Sequence, residues 1–149
     1  MRRDLGAPIM PVPLPPAMTL APFDEHIAPA CRDMMNRVYA AGFGDQLPFE
    51  SWWSRLIADS DYDPTLCFVA VANGEIAGFC HGWIEPFVKD VVVDTAFRRR
   101  GLGGALLTRA MQTYAARDAP FVDLKTDVDN LAAQSLYRRL GFVVVERVG

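Results

Sequence analysis

The sequence is short of what a disulfide, metal or membrane explanation needs. Its 149 residues hold three cysteines, Cys31, Cys67 and Cys80, an odd number, widely spaced, with no CxxC pair. Each stands among apolar neighbours and reads as a small buried hydrophobe in a reducing compartment. The two histidines, His26 and His81, have no second ligand at a recognisable spacing, so no zinc or other metal site is expected. No apolar run approaches the roughly 18 residues of a membrane helix. A formal charge of −3 supplies no global basic field for nucleic acid. Prolines break the region after Met1-Arg2-Arg3, whereas a secretion signal needs an unbroken apolar segment. A cytoplasmic protein is expected.

What is present suits one ordinary domain. Hydrophobic residues make up 51% and charged residues 22%, a balance that excludes disorder of the whole chain. Residues 1–17 differ in composition, with five of the eleven prolines at Pro8, Pro11, Pro13, Pro15 and Pro16. They read as an extended arm or flexible leader, and recognition of the PxxP pattern by a partner is the sharper alternative. Residues 18–149 read as a single domain.

Along that domain a strand is expected from Met18 to Phe23. Asp24 then resembles a cap for a helix whose Ile27, Cys31, Met34, Met35 and Val38 recur at helical spacing. A second helix fits 48–58, with Trp52, Trp53, Leu56 and Ile57 on its apolar side. Leu66–Ala72 and Ile76–Ile84 flank Asn73-Gly74, the strongest short hairpin signal. Phe87–Val93 is apolar on both faces at Val91-Val92-Val93 and should be a covered central strand. A helix over 101–117, a strand over 121–126, a helix over 131–140 stopped by Gly141, and a last strand over 142–148 complete the order. Hairpin-linked strands followed by crossover helices make the fold α/β or α+β with a mixed sheet.

Chemistry concentrates in two stretches. In the first, the strand ending at Val93 runs through Arg98-Arg99-Arg100-Gly101-Leu102-Gly103-Gly104 into a helix. Glycines let backbone N–H groups turn inward, the helix start adds unpaired donors, and the arginines add charge. The product is an anion cradle suited to a pyrophosphate. It is neither the GxGxxG dinucleotide fingerprint nor a Walker loop. The second stretch has Asn130 before a helix, Tyr137 on it, and a Gly141-Phe142 exit. Read alone, Asn130 is a helix cap and Tyr137 a packed aromatic.

In this order, about 30 residues apart, the two stretches resemble the GCN5-related N-acetyltransferase (GNAT) superfamily. Arg98–Gly103 is similar to its Q/R-x-x-G-x-G/A turn. Asn130, Ala133, Leu136, Tyr137, Gly141 and Phe142 are similar to its N-x-x-A-x-x-L-Y-x-x-x-G-F segment. The resemblance spans about residues 18–148. It implies a mixed sheet of about six strands, splayed at a β-bulge and flanked by about four helices. It also implies transfer of an acetyl group from acetyl-CoA to a primary amine by direct attack in a ternary complex. Residues 98–104 would bind the pyrophosphate, the Val91, Val92 and Val93 backbone the thioester arm, and Asn130 the pantetheine or adjoining backbone. Tyr137 would serve as general acid to the leaving thiolate. Asp90, one residue before the docking strand and on the face of Val92, is the preferred general base. Its structural alternative is a carboxylate paired with a nearby Lys or Arg. Glu85 is the second acidic candidate, and a water chain could replace both. Acceptor-side candidates are Phe43, Trp52, Trp53, His81, Trp83 and Glu85, although Trp52 and Trp53 read more simply as core residues.

A small-molecule amine is the expected acceptor. The Nα-acetyltransferases of this superfamily usually continue past the Gly-Phe strand with an aromatic segment, and none is found before Gly149. A tRNA-borne acceptor is disfavoured by the charge. The expected partners are therefore acetyl-CoA and a primary amine, with a homodimer left open. The rival outside enzymes is an acyl-CoA-binding sensor.

Overall fold

A computed structural model describes residues 1–42 and 44–145. Six strands form one mixed sheet in the order β1-β6-β5-β4-β3-β2: β1 (Arg2–Asp4), β2 (Met18–Pro22), β3 (Cys67–Ala72), β4 (Glu75–Trp83), β5 (Phe87–Val93) and β6 (Phe121–Leu124). Helices α1 (Ala28–Ala40) and α2 (Phe49–Ala58) cover one face. Helices α3 (Leu102–Ala116) and α4 (Leu131–Arg139) lie on the other, and a core fills each gap. No helix among the described residues is long and apolar enough to cross a membrane.

Local chemistry accounts for most boundaries. Asn73 and Gly74 take φ of 52° and 77°, the paired left-handed conformation of a tight hairpin turn between β3 and β4. Asp24 accepts from the N–H groups of His26 and Ile27, closing its own turn, so α1 starts only at Ala28. The α1 side chains Cys31, Met34 and Met35 then repeat at helical spacing and are fully buried. On the opposite face, α3 lies so close to β4 that a Cβ at Gly78 would sit 2.9 Å from Leu106 Cδ1. Tyr114 of α3 locks the far end, donating to the Trp83 carbonyl at 2.5 Å.

Two expectations at the sheet's edge are corrected. The first residues of the proline-rich segment are no flexible leader: Arg2–Asp4 pair antiparallel with Phe121–Asp123 as β1. Among the described residues of the last expected strand there is one bridge, Val143 to Arg2, and residues 146–148 of that expectation lie outside the described residues. The N-terminal strand holds the edge position beside β6.

The feature that positions the site is a parting of two strands. Opposite β4, the register passes from His81–Asp90 to Gly82–Val88, so Lys89 is an extra residue on β5. Such a bulge bends and twists its strand. Only Phe87 and Val88 of β5 pair with β6, and from Asp90 onward the two strands are unpaired with each other. A cleft opens there.

Candidate active site

The cleft holds about 870 Å³ and is walled by the end of β5, the start of α3, the cleft side of α4 and the C-terminal end of α1. Its size lies toward the upper end for small-molecule sites. A second cavity of about 220 Å³ lies at the sheet edge, by Met1, Phe87 and Leu124. That one lacks the arginine and glycine turn.

One wall is a strand edge. Asp94 donates its N–H to the Ala77 carbonyl, so by the alternation of an antiparallel pair Val92 spends its polar groups on β4. Val91 and Val93 turn theirs into the cleft, and the Val93 carbonyl accepts from Arg98 Nε at 3.4 Å. Of the three expected docking residues, two present backbone to the cleft. The Val92 side chain faces the α1–α2 core instead.

The turn into α3 is curled by positive φ at Arg99 (63°) and Gly101 (81°). Gly101 is the N-cap of α3, and its carbonyl first accepts from Ala105. The N–H groups of Leu102, Gly103 and Gly104 therefore have no intrahelical partner. They gather at the positive end of the helix dipole. Gly103 and Gly104 line the cleft, whereas the Leu102 side chain is buried in the core. Arg98 and Arg99 border the cleft. Arg100 does not, its guanidinium lying 5.7 Å from the Phe97 ring.

The α4 wall carries Asn130 and Tyr137, two turns apart. Asn130 Oδ1 caps α4 by accepting from Ala133 N–H at 3.2 Å, which leaves its amide nitrogen for other contacts. The Tyr137 ring packs 6.0 Å from Phe142, and its hydroxyl has no hydrogen-bond partner among the described residues. Burial pushes this phenol up to about 12, with Cys80 and the Asp90 charge adding to the shift. Tyr137 stays protonated at neutral pH.

Asp90 lies on the α1 side of the splay. Its carboxylate accepts the Tyr39 hydroxyl proton at 2.6 Å, and the other oxygen stands 4.0 Å from His81 Nδ1. The expected alternative, a pair with Lys or Arg, is not what Asp90 makes among the described residues. His81 is not its ion partner at neutral pH, because burial holds that imidazole down at about 4. The Asp90 side chain keeps 17% of its surface exposed.

Residues 28–142 match the acetyltransferase (GNAT) family. The chain belongs to the GNAT acetyltransferase family. The mycothiol acetyltransferase of Acidothermus cellulolyticus is 32% identical over 165 residues, 95% of this chain and 50% of that protein. The N-alpha-acetyltransferase 30 of Dictyostelium discoideum is 33% identical over 92 residues, 57% of this chain and 50% of that protein. This GNAT chain thus spans about half the length of these curated relatives. Among solved structures, a GCN5-related N-acetyltransferase from Sphaerobacter thermophilus superposes with a TM-score of 0.81 at 26% identity. That match covers 94% of this chain and 45% of the other. An aminoglycoside acetyltransferase from a soil metagenomic sample shares the fold, with a TM-score of 0.67 at 20% identity over 89% of this chain and 93% of that one.

Set in this GNAT fold, the acceptor-side candidates do not gather in the cleft. Trp52 is buried between Phe23 and Phe79, and Trp53 stacks on Phe49 at 6.0 Å. His81 is buried against Trp83, and Glu85 is exposed in the β4–β5 turn near Asp61. Phe43 lies outside the described residues. Sequence reasoning missed Tyr39, which borders the cleft and binds Asp90. A signal was there: Tyr39 stands four residues after Met35, on the same helical face.

Proposed function

We propose that this GNAT chain transfers an acetyl group from acetyl-CoA to a primary amine of a small molecule, by direct attack with both substrates bound. The observation that carries the reading is the cleft at the splay, where a strand edge and a helix N-terminus converge and the half-buried Asp90 carboxylate is joined to the wall through Tyr39. The residues suit acetyl-CoA. Three unpartnered N–H groups of α3, with Arg98 and Arg99, match a pyrophosphate. Val91 and Val93 offer strand-like partners to the amides of the pantetheine arm, and the Asn130 amide adds a further donor. A donor of strand N–H type also suits an oxygen on which charge develops. The acceptor amine enters from the α1–α2 side, where Asp90 removes its proton, since an amine of pKa about 10.4 is charged at neutral pH. The Tyr137 hydroxyl serves the departing sulfur. Mycothiol acetyltransferases among the relatives favour a small acceptor. The N-alpha-acetyltransferase 30 relatives support protein N-termini as the second reading.

Thiol release from acetyl-CoA, measured against a panel of small primary amines and N-terminal peptides, decides the acceptor. Release stimulated by small amines supports the first reading and stimulation by peptides the second. Binding without stimulated release by either class marks a sensor. The cradle is tested by Gly103→Glu. Its carboxylate faces the pyrophosphate position, so acetyl-CoA binding by calorimetry should be lost while the melting temperature is kept. A Cβ at this position lies 3.3 Å from Leu136 Cδ2, so Gly103→Ala controls for that contact and should still bind. Unchanged affinity in the Glu variant would sink the cradle assignment.

A further inference from the structure

We propose that Tyr39 is a positioning residue for Asp90: its hydroxyl fixes one carboxylate oxygen and leaves the other directed at the incoming amine. The inference rests on the reading of Asp90 as general base.

The geometry begins with the bulge at Lys89, which sets Asp90 opposite His81 on the α1 face. Tyr39 closes from α1 and donates to Asp90 Oδ1 at 2.6 Å, the short contact of a charge-assisted bond. Its ring is itself held, with the Arg32 guanidinium 5.7 Å from the centroid. Arg32 is buried and anchored by Asn36 Oδ1 at 3.0 Å and the Asp45 carbonyl at 2.8 Å. Oδ2 stands 4.0 Å from His81 Nδ1, beyond hydrogen-bond reach, and makes no hydrogen bond among the described residues. The His81 ring is 2% exposed and neither of its nitrogens has a partner among the described residues. Trp83 packs edge-on against it at 4.3 Å. That setting keeps the imidazole uncharged, and the nearby Arg32 cation spends its hydrogen bonds on Asn36 and the Asp45 carbonyl rather than on Asp90.

The groups around Asp90 are thus Tyr39 and Arg32 from α1, Cys80 and His81 from β4, Lys89 on its own strand and Tyr137 from α4. Tyr39 alone makes a hydrogen bond to the carboxylate among the described residues. Burial and the Asp90 charge both raise the Tyr39 phenol above its ordinary range. It remains a donor wherever the carboxylate is ionised. A donor on one oxygen fixes the orientation of the carboxylate, so removing it must show in turnover of the amine rather than in acetyl-CoA binding.

The test uses the full chain and an amine found by thiol release. Tyr39→Phe keeps the ring and deletes the donor. It should lower kcat/KM for the amine about tenfold, chiefly through kcat, with acetyl-CoA affinity unchanged. Asp90→Asn should lower kcat/KM at least 100-fold. The double variant should be no worse than Asp90→Asn alone, since residues acting as a unit are not additive. 3,5-Difluorotyrosine at position 39 keeps a donor on the same ring and should retain the turnover that Tyr39→Phe loses. Wild-type activity in Asp90→Asn would overturn the base reading itself. With Asp90→Asn impaired as expected, a loss in Tyr39→Phe confined to KM, additive losses in the double variant, or a difluorotyrosine variant as slow as Tyr39→Phe would each overturn the role of Tyr39.

Discussion

Tyr137 is where acid–base chemistry and packing are hardest to separate. Its ring fills the space between α4 and Phe142, and its hydroxyl borders the cleft without a partner among the described residues. A thiol of ordinary pKa, about 8.5, is a stronger acid than a phenol pushed up to about 12. Complete proton transfer from Tyr137 to a thiolate therefore runs uphill by about 3–4 pKa units. In the proposed reaction the hydroxyl would serve the departing sulfur chiefly as a hydrogen-bond donor while charge builds there. Tyr137→Phe should accordingly lower kcat by about 10²-fold, the lower end for acid catalysis, with acetyl-CoA affinity and melting temperature hardly changed. Because the donor form is lost only as pH rises through about 12, the wild-type kcat should show no alkaline limb from this residue up to pH 10. Stopped-flow thiol release from pH 7 to 10 checks both points. Wild-type turnover in the Phe variant with chemistry rate-limiting leaves Tyr137 as packing.

Helix α4 owes its placement to an element the sequence concealed. Arg3 of β1 is 7% exposed and donates through Nε to the Leu140 carbonyl at 2.9 Å, just past the C-terminus of α4. It also donates to the carbonyls of Asp4, Ala7 and Pro8, so one cation holds the proline-rich segment against the helix that carries Asn130 and Tyr137. Gly141 makes room, since a Cβ there would lie 2.7 Å from Arg3 Nε. Arg3→Ala leaves these carbonyls without their donor and should cost about 2–4 kcal/mol. A melting temperature lower by about 5–10 °C in calorimetry is expected, and a loss below 1 °C would reduce Arg3 to a surface tether. None of this was legible in the sequence. Elements with local signals were: the Asn73-Gly74 turn, the capped start of α4 and its Gly141 stop each depend on neighbouring residues. β1 has three residues whose partners, Phe121 to Asp123, lie over a hundred positions away. The candidate site divides in the same way. Its turn and its Asn130–Tyr137 helix were legible as contiguous motifs, whereas the Tyr39–Asp90 contact joins residues 51 apart and waits on the packing of α1 over the sheet.

At the scale of the whole molecule, a chain of net charge −3 has to attract a polyanion, and local charge must overcome the global sign. Arg98, Arg99 and Arg100 are exposed on one turn beside the α3 N-terminus, while the Asp90 carboxylate sits on the opposite side of the splay. In the proposed reaction the basic turn would face the phosphates and the Asp90 carboxylate, behind Tyr39, would face the ammonium. Exposed charges are screened over about 10 Å at 0.1 M salt, so the basic end should weaken as salt rises while backbone donors remain. Wild-type acetyl-CoA affinity should fall between 50 mM and 500 mM NaCl. Arg98→Ala should weaken binding about three- to fivefold at the lower salt, the scale of one exposed charge pair. At the higher salt the two proteins should converge. Calorimetric titration at both concentrations distinguishes this from a structural role, which Arg98 has a route to through its Nε contact with the Val93 carbonyl. A loss of the same size at both salts would assign Arg98 to shaping the strand edge rather than to attracting the anion.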